Sequence, residues 1–312
     1  MSDRVLEINI PGEVHPVRID RYLSSRFSYL SRSAWQKEIE SGKITVNGSP
    51  SLDSSRKIRG GDTVAYDGRG IIEPPVDETI DILYEDDACI VAGKSGDLPV
   101  HPAGRYFNHT FTMIMEKRLG RKIYPVHRLD RETSGVILSV FNTDDVHPFA
   151  SAIQRGAKEY LAIVHGSFPD GILRVDLPIG ADSDSEVSKK RKAFPGAEEE
   201  SLTEFRCEKR FGEFSLVRAL PETGRLHQIR VHLLAAGFPI VGDKLYGRDD
   251  RLFLRFIEHG MTDELAEKLI LPRTALHAER LTFIHPFTKK EMIIVSPLPT
   301  MFTDFISERS NG

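Results

Sequence analysis

Apolar positions in the N-terminal part of the chain recur at helical spacing and then switch to alternation. In VRIDRYLSSRF, residues 17–27, Ile19, Tyr22 and Leu23 share one helical face. In SRSAWQKEIESG, residues 31–42, Trp35 and Ile39 do the same, with Ser31 placed as N-cap and Gly42 as C-cap. ITVNG then alternates, Asn47-Gly48 has the chemistry of a tight hairpin turn, and DTVAYD supplies another strand after Gly60-Gly61. Residues 1–12 read as a leader or edge strand. The pattern predicts a small helix–helix–hairpin domain over residues 1–75. It ends in a linker, IIEPPVDETIDIL, where Pro74-Pro75 can continue neither a helix nor a ladder.

From 76 to 312 the pattern mixes strand-like and helix-like runs. Strands are predicted at residues 88–92, 135–140, 160–164, 213–219, 279–284 and 290–296, and helices at 111–119, 148–156, 228–236 and 252–258. This predicts an α+β fold with a mixed or antiparallel sheet as a second domain. Residues 182–200, DSDSEVSKKRKAFPGAEEE, are polar and charge-blocked and predict an exposed loop. No run of 18 apolar residues occurs and the start has no signal-peptide core, so a cytoplasmic protein without a membrane partner is expected. Cys89 and Cys207 match no ligand spacing and read as buried thiols in a reducing compartment. There is no dinucleotide fingerprint and no phosphate loop.

Charge complicates a nucleic-acid reading. The chain has 42 Lys/Arg against 46 Asp/Glu, a net charge of −4. Proteins that grip nucleic acid usually concentrate positive charge. Residues 18–59 nevertheless hold nine Lys/Arg and four Asp/Glu, a local excess of five positive charges. Local contacts with RNA are compatible with this distribution; long-range attraction is not.

The densest chemistry lies in HRLDRETSGVI, residues 127–137. A cation, a carboxylate, a hydroxyl pair and a glycine precede a buried strand, as in sites where strand ends fix reactive loops. Read alone, the same residues make a surface turn capped by Asp130 and Thr133. Four further blocks change that balance: GKSGDLPVHPAG (93–104), KEYLAIVHG (158–166), TGRLHQIRVHLLAAGFPIVGDKLYG (223–247) and RTALHAERLTFIHP (273–286). In this order, the five resemble the RluA-type pseudouridine synthases, whose first block is normally NKPxGLxVHPxxG. Gly93, Ser95 and Leu226 depart from the usual Asn, Pro and polar residue. Residues 18–23, 31–48 and 61–64 resemble the S4 RNA-binding domain.

The resemblance implies an enzyme that isomerises uridine in structured RNA with neither metal nor redox cofactor and with no obligate protein partner. It assigns the central role at the sugar to Asp130, as nucleophile, electrostatic stabiliser or base, and sequence does not choose among them. It makes Arg230 the cation that orients Asp130 and Tyr160 the ring that stacks on the target base. Arg128 enters the stack as the base flips out, and His127, Arg273 and Leu276 line or support the pocket. Arg32, Lys37, Lys43 and Arg56 are the implied RNA contacts of the S4-like unit. Large-subunit ribosomal RNA is the implied substrate class. The alternatives are the same reaction on tRNA, or a non-catalytic RNA-binding assembly protein. His227 and His232 lack the spacing of a zinc pair.

Overall fold

The fold comes from a computed structural model that describes residues 5–26, 32–67, 73–102, 106, 108–187, 189–247, 249 and 251–310. The chain forms two compact units, one of residues 1–76 with 99–118, the other of residues 77–98 with 119–312.

The first unit contains β1 (Val5–Asn9), β2 (Val17–Arg18), α1 (Ile19–Arg26), α2 (Arg32–Glu40), β3 (Ile44–Val46), β4 (Ser49–Pro50), β5 (Lys57–Ile58) and β6 (Thr63–Asp67). It also takes in most of α3 (Phe111–Leu119). Strand order is β1-β6-β3-β4, so the expected edge strand is β1. The first helix starts two residues later than its periodicity suggested, because Val17 and Arg18 pair with Lys57 and Ile58 instead. Ile19, Leu23, Trp35 and Ile39 are fully buried with Ile44, Ile58 and Val64. Trp35 meets Tyr66 edge-on at 5.2 Å, and the Tyr66 hydroxyl donates to Glu38 at 2.7 Å. Asn47 (φ 52°) and Gly48 (φ 77°) form the left-handed pair a two-residue hairpin turn requires. The proposed cap Ser31 lies outside the described residues.

Asp20 organises the charges of this unit. Its carboxylate has no exposed surface and accepts from Arg18 (3.0 Å), Arg32 (2.9 Å), Gln36 (2.8 Å) and the Arg21 N–H (2.8 Å). Burial alone would raise this carboxyl, but the bonds from Arg18, Gln36 and Arg32 outweigh it and hold it far below its ordinary range. Of the four implied RNA contacts, Arg32 is thus tied to Asp20, Lys43 to Glu38 at 2.8 Å, and Lys37 is exposed on α2. Arg56 is half-buried beside the β5 turn.

The second unit is built on a ten-stranded sheet. Its strands are β7 (Ile80–Glu85), β8 (Cys89–Lys94), β9 (Tyr124–Pro125), β10 (Ser134–Val140), β11 (Ala157–His165), β12 (Ile172–Asp176), β15 (Leu202–Phe211), β16 (Phe214–Pro221), β17 (Leu276–Ile284) and β18 (Glu291–Val295). The order is β12-β15-β16-β11-β17-β10-β8-β7, with β18 on β17 and β9 on β10. A separate hairpin joins β13 (Ile179–Ala181) to β14 (Arg191–Ala193). Helices α4 (Val146–Arg155), α5 (Gln228–Ala235), α6 (Arg251–His259), α7 (Asp263–Leu269) and α8 (Thr300–Ser310) complete the unit. Phe205, Phe214, Leu233 and Phe302 share the larger core, and Phe149 of α4 packs with Val136, Leu138 and Phe283. The whole is a mixed α+β fold.

One crossing decides where the chemistry sits. β10 and β17 run parallel for only two residue pairs, Ser134 with His277 and Gly135 with Ala278; the other pairings of this sheet are antiparallel. Gly135 is at φ 113°, and a Cβ there would lie 2.1 Å from the Ala278 carbonyl oxygen. Only glycine permits this approach. Ala278 in turn pairs with Tyr160 of β11, next to a β-bulge between Glu159 and Tyr160.

Two expectations change. The end of the proposed linker is β7, which pairs with β8 along the sheet edge. Residues 182–200 are not one exposed loop, because they contain β14, which pairs with β13 just before them, and Ala197 is buried. Their charge blocks neutralise one another: Lys190 pairs with Asp182 and Lys192 with Asp184, both at 3.2 Å, and Arg191 with Glu199.

Candidate active site

Asp130 follows the short strand β9 and precedes β10, in a loop clamped from several sides. Glu132 holds one clamp: its Oε1 accepts from Lys244 at 2.8 Å, and its Oε2 from the Thr274 backbone and hydroxyl, both at 3.0 Å. Arg273 donates to the Glu132 carbonyl at 3.0 Å. Lys94, almost wholly buried, donates to the carbonyls of Ser95 (2.8 Å), Leu98 (2.9 Å) and Arg131 (3.2 Å). On the far side His127 accepts the Leu138 N–H at 3.1 Å, and burial, with Lys158 nearby, pushes its imidazole down to about 4. A neutral ring suits an acceptor role. Four of the five sequence blocks therefore converge on this loop.

A further connection is ionic. Arg230, on the first turn of α5, donates from Nη1 to Asp130 Oδ2 at 2.7 Å. Its Nε and Nη2 grip Asp243 at 2.6 and 2.9 Å in a bidentate fork. Asp243 is buried and also accepts the Leu245 and Tyr246 N–H groups, at 3.0 and 2.9 Å. It follows Gly242 (φ 76°), where a Cβ would lie 2.1 Å from the Arg273 carbonyl oxygen. Burial by itself raises the Asp130 carboxyl, but Arg230, with His227 and Arg128, outweighs it and holds the carboxyl below its ordinary range. Asp130 is therefore an anion near neutrality, with Oδ2 occupied by Arg230 and Oδ1 facing His227 Nε2 at 3.8 Å. Such an anion, one-quarter exposed, can attack or stabilise an electron-poor carbon or accept a proton.

Tyr160 is half-buried on β11, and burial together with the Asp130 charge pushes its hydroxyl up to about 12. Arg128 is exposed, two residues before Asp130. Leu276 is 4 % exposed within the main core, and Arg273 acts on loop backbone. A surface cleft lined by Pro148, Arg155, Thr282 and Phe287 contains none of these groups.

The chain matches the family model described as RNA pseudouridylate synthase over residues 88–235 and the S4 domain over residues 17–64. It is 32% identical to the ribosomal large subunit pseudouridine synthase D of Vibrio cholerae, over 90% of this chain and 88% of that protein. The chain belongs to the RluA-type RNA pseudouridylate synthases. The synthase converts uridine to pseudouridine in structured RNA and carries an RNA-binding S4 domain. It is also 30% identical to the ribosomal large subunit pseudouridine synthase C of Buchnera aphidicola subsp. Baizongia pistaciae, covering 95% of this chain and 94% of that one. Human RNA pseudouridylate synthase domain containing 4 has a similar structure, with 26% identity and a TM-score of 0.55 over 72% of this chain and 90% of that one.

Sequence reading of the synthase missed Asp243, Tyr246, Glu132, Lys244 and Lys94. Each stands inside a quoted block, but its role depends on partners far along the chain. Asp97 has left-handed backbone (φ 67°) where the resembling block has glycine. No helix among the described residues is long and apolar enough to cross a membrane.

Among the described residues Asp86, Cys89 and His285 have the spacing of a metal site, with possible ligand atoms within 4.8 Å of one another. Their chemistry opposes it. His285 Nδ1 accepts the Phe287 and Thr288 N–H groups, both at 3.2 Å, so Nε2 carries the proton and has no lone pair for a metal. That proton faces Asp86 Oδ2 at 3.1 Å, and burial pushes the Cys89 thiol up to about 12.

Proposed function

We propose that the synthase modifies large-subunit ribosomal RNA and that Asp130 acts at C1′ of the target uridine through Oδ1. The N1–C1′ bond breaks, the uracil turns, C5 joins C1′, the C5 proton is lost and N1 gains one. Arg230 keeps Asp130 ionised and oriented. Tyr160 stacks on the uracil beside Asp130, and Arg128 fills the space that the flipped nucleotide leaves, offsetting part of an unstacking cost of about a few kcal/mol. The observation that carries the reading of the site is the carboxylate with one oxygen held by a doubly anchored arginine and the other left free. The ribosomal assignment is supported by the large-subunit synthases matched over nearly their whole length. Its test is pseudouridine mapping of total RNA from deletion and complemented cells. Loss confined to large-subunit RNA, restored by the wild-type gene but not by Asp130→Asn, is expected. Loss confined to tRNA would overturn the substrate assignment, and restoration by Asp130→Asn would overturn the role of Asp130.

A further inference from the structure

We propose that His227 is a positioning residue for Asp130, locked by Tyr246 in the tautomer that turns an Nε2–H toward the reacting oxygen. The inference rests on the isomerisation reading above and concerns how Oδ1 is controlled.

The loop before α5 is built to present this side chain. Gln228 accepts the Arg225 N–H at 3.0 Å and the Thr223 hydroxyl at 2.7 Å, and it donates to Leu202 and Thr203, both at 2.9 Å. His227 sits at the N-cap of α5 with left-handed backbone, φ 60° and ψ 16°, and makes no capping bond with its side chain. Such backbone favours glycine or asparagine. The imidazole is spent elsewhere: Nδ1 lies 2.8 Å from the Tyr246 hydroxyl, and Nε2 faces Asp130 Oδ1.

The proton positions follow from the Tyr246 oxygen. It accepts the Arg191 N–H at 2.9 Å, from the β13–β14 hairpin. Tyr246 is fully buried, so its own proton needs an acceptor, and Nδ1 of His227 is the one within reach among the described residues. Nδ1 is then unprotonated. A neutral imidazole carries its proton on Nε2, pointing at Asp130. Burial, reinforced by Arg230, pushes this histidine down to about 4, so it is neutral at working pH. The distance of 3.8 Å is a dipolar contact and not a finished hydrogen bond. Such contacts commonly tighten when substrate closes the site. A neutral N–H steadies the carboxylate without the pull of a second cation, leaving Oδ1 reactive. The opposite tautomer would set a lone pair against a carboxylate.

The test uses the full-length synthase. With nitrogen-15 histidine, the His227 signals, assigned by their loss in His227→Gln, should show Nδ1 unprotonated and Nε2 protonated. Tyr246→Phe should shift that balance toward Nδ1–H. Single-turnover conversion then separates positioning from backbone fit. Glutamine places an N–H where Nε2 stood, whereas asparagine suits the left-handed backbone but reaches only the Nδ1 position. His227→Gln should keep most of the rate. His227→Asn should lose about 10- to 100-fold at unchanged RNA affinity, the worth of one hydrogen bond to a charged group. A wild-type Nδ1–H, or asparagine matching or exceeding glutamine in rate, would overturn the proposal. Wild-type protein that forms no pseudouridine would defeat the isomerisation reading instead, and the nitrogen signals would still decide the tautomer.

Discussion

At the scale of single residues, the site depends on which carboxylate is free and which is committed. Asp243 is buried and holds Arg230 with two bonds, and a third N–H of Arg230, on Nη1, goes to Asp130. Asp243→Ala should therefore destabilise the protein by about 3–5 kcal/mol, because it leaves a buried guanidinium half unpaired. Urea unfolding followed by circular dichroism checks this, and a loss under 1 kcal/mol would show that Asp243 is not the anchor. Tyr160 separates two roles. Tyr160→Ala should lose conversion through lost stacking. Tyr160→Phe should lower single-turnover rate more than RNA affinity if the hydroxyl moves a proton at C5. Full activity of the phenylalanine variant would reject the proton role alone.

At the scale of elements, two positions govern whether the site forms. Gly135→Ala would drive a Cβ into the Ala278 carbonyl and part β10 from β17. The variant should lose more than about 3 kcal/mol, and near-wild-type thermal stability would contradict the argument. In the S4 unit, Asp20 has a lowered folded pKa, so its stabilisation is complete above the unfolded value and is lost as pH falls through the folded one. Asp20→Asn should therefore be clearly less stable than wild type at pH 6, with the gap narrowing below about pH 4. Denaturant midpoints across that range test it, and a gap that widened in acid would reverse the sign. Much of this level is legible from sequence: Trp35, Ile39, Asn47-Gly48 and the strand after Asp130 all follow from periodicity and turn chemistry. The β14 strand is not, because its stretch reads as solvated charge until Asp182, Asp184 and Glu199 are seen to pair with Lys190, Lys192 and Arg191. Nor is β7, whose alternation follows directly on a proline-rich linker.

At the scale of the whole molecule, Asp130 and Arg230 are 100 residues apart in sequence and 2.7 Å apart in space. Asp130 and Arg230 are each recognisable within a block. Asp243 reads as an ordinary turn residue, because nothing local shows that its carboxylate meets a guanidinium. Net charge also misleads at this level, since −4 hides the positive stretch over residues 18–59. Lys37→Ala and Arg56→Ala should each weaken RNA binding across sequences and reduce the salt slope by about 1. Conversion at saturating RNA should be unchanged, and an unchanged salt slope would remove these cations from the interface. The most direct test of the whole account is single-turnover conversion by purified Asp130→Asn at saturating RNA. Asparagine keeps the size and an oxygen for Arg230 but removes the charge. RNA binding should persist with no detectable pseudouridine, whereas near-normal conversion would contradict the assignment of the chemistry to Asp130.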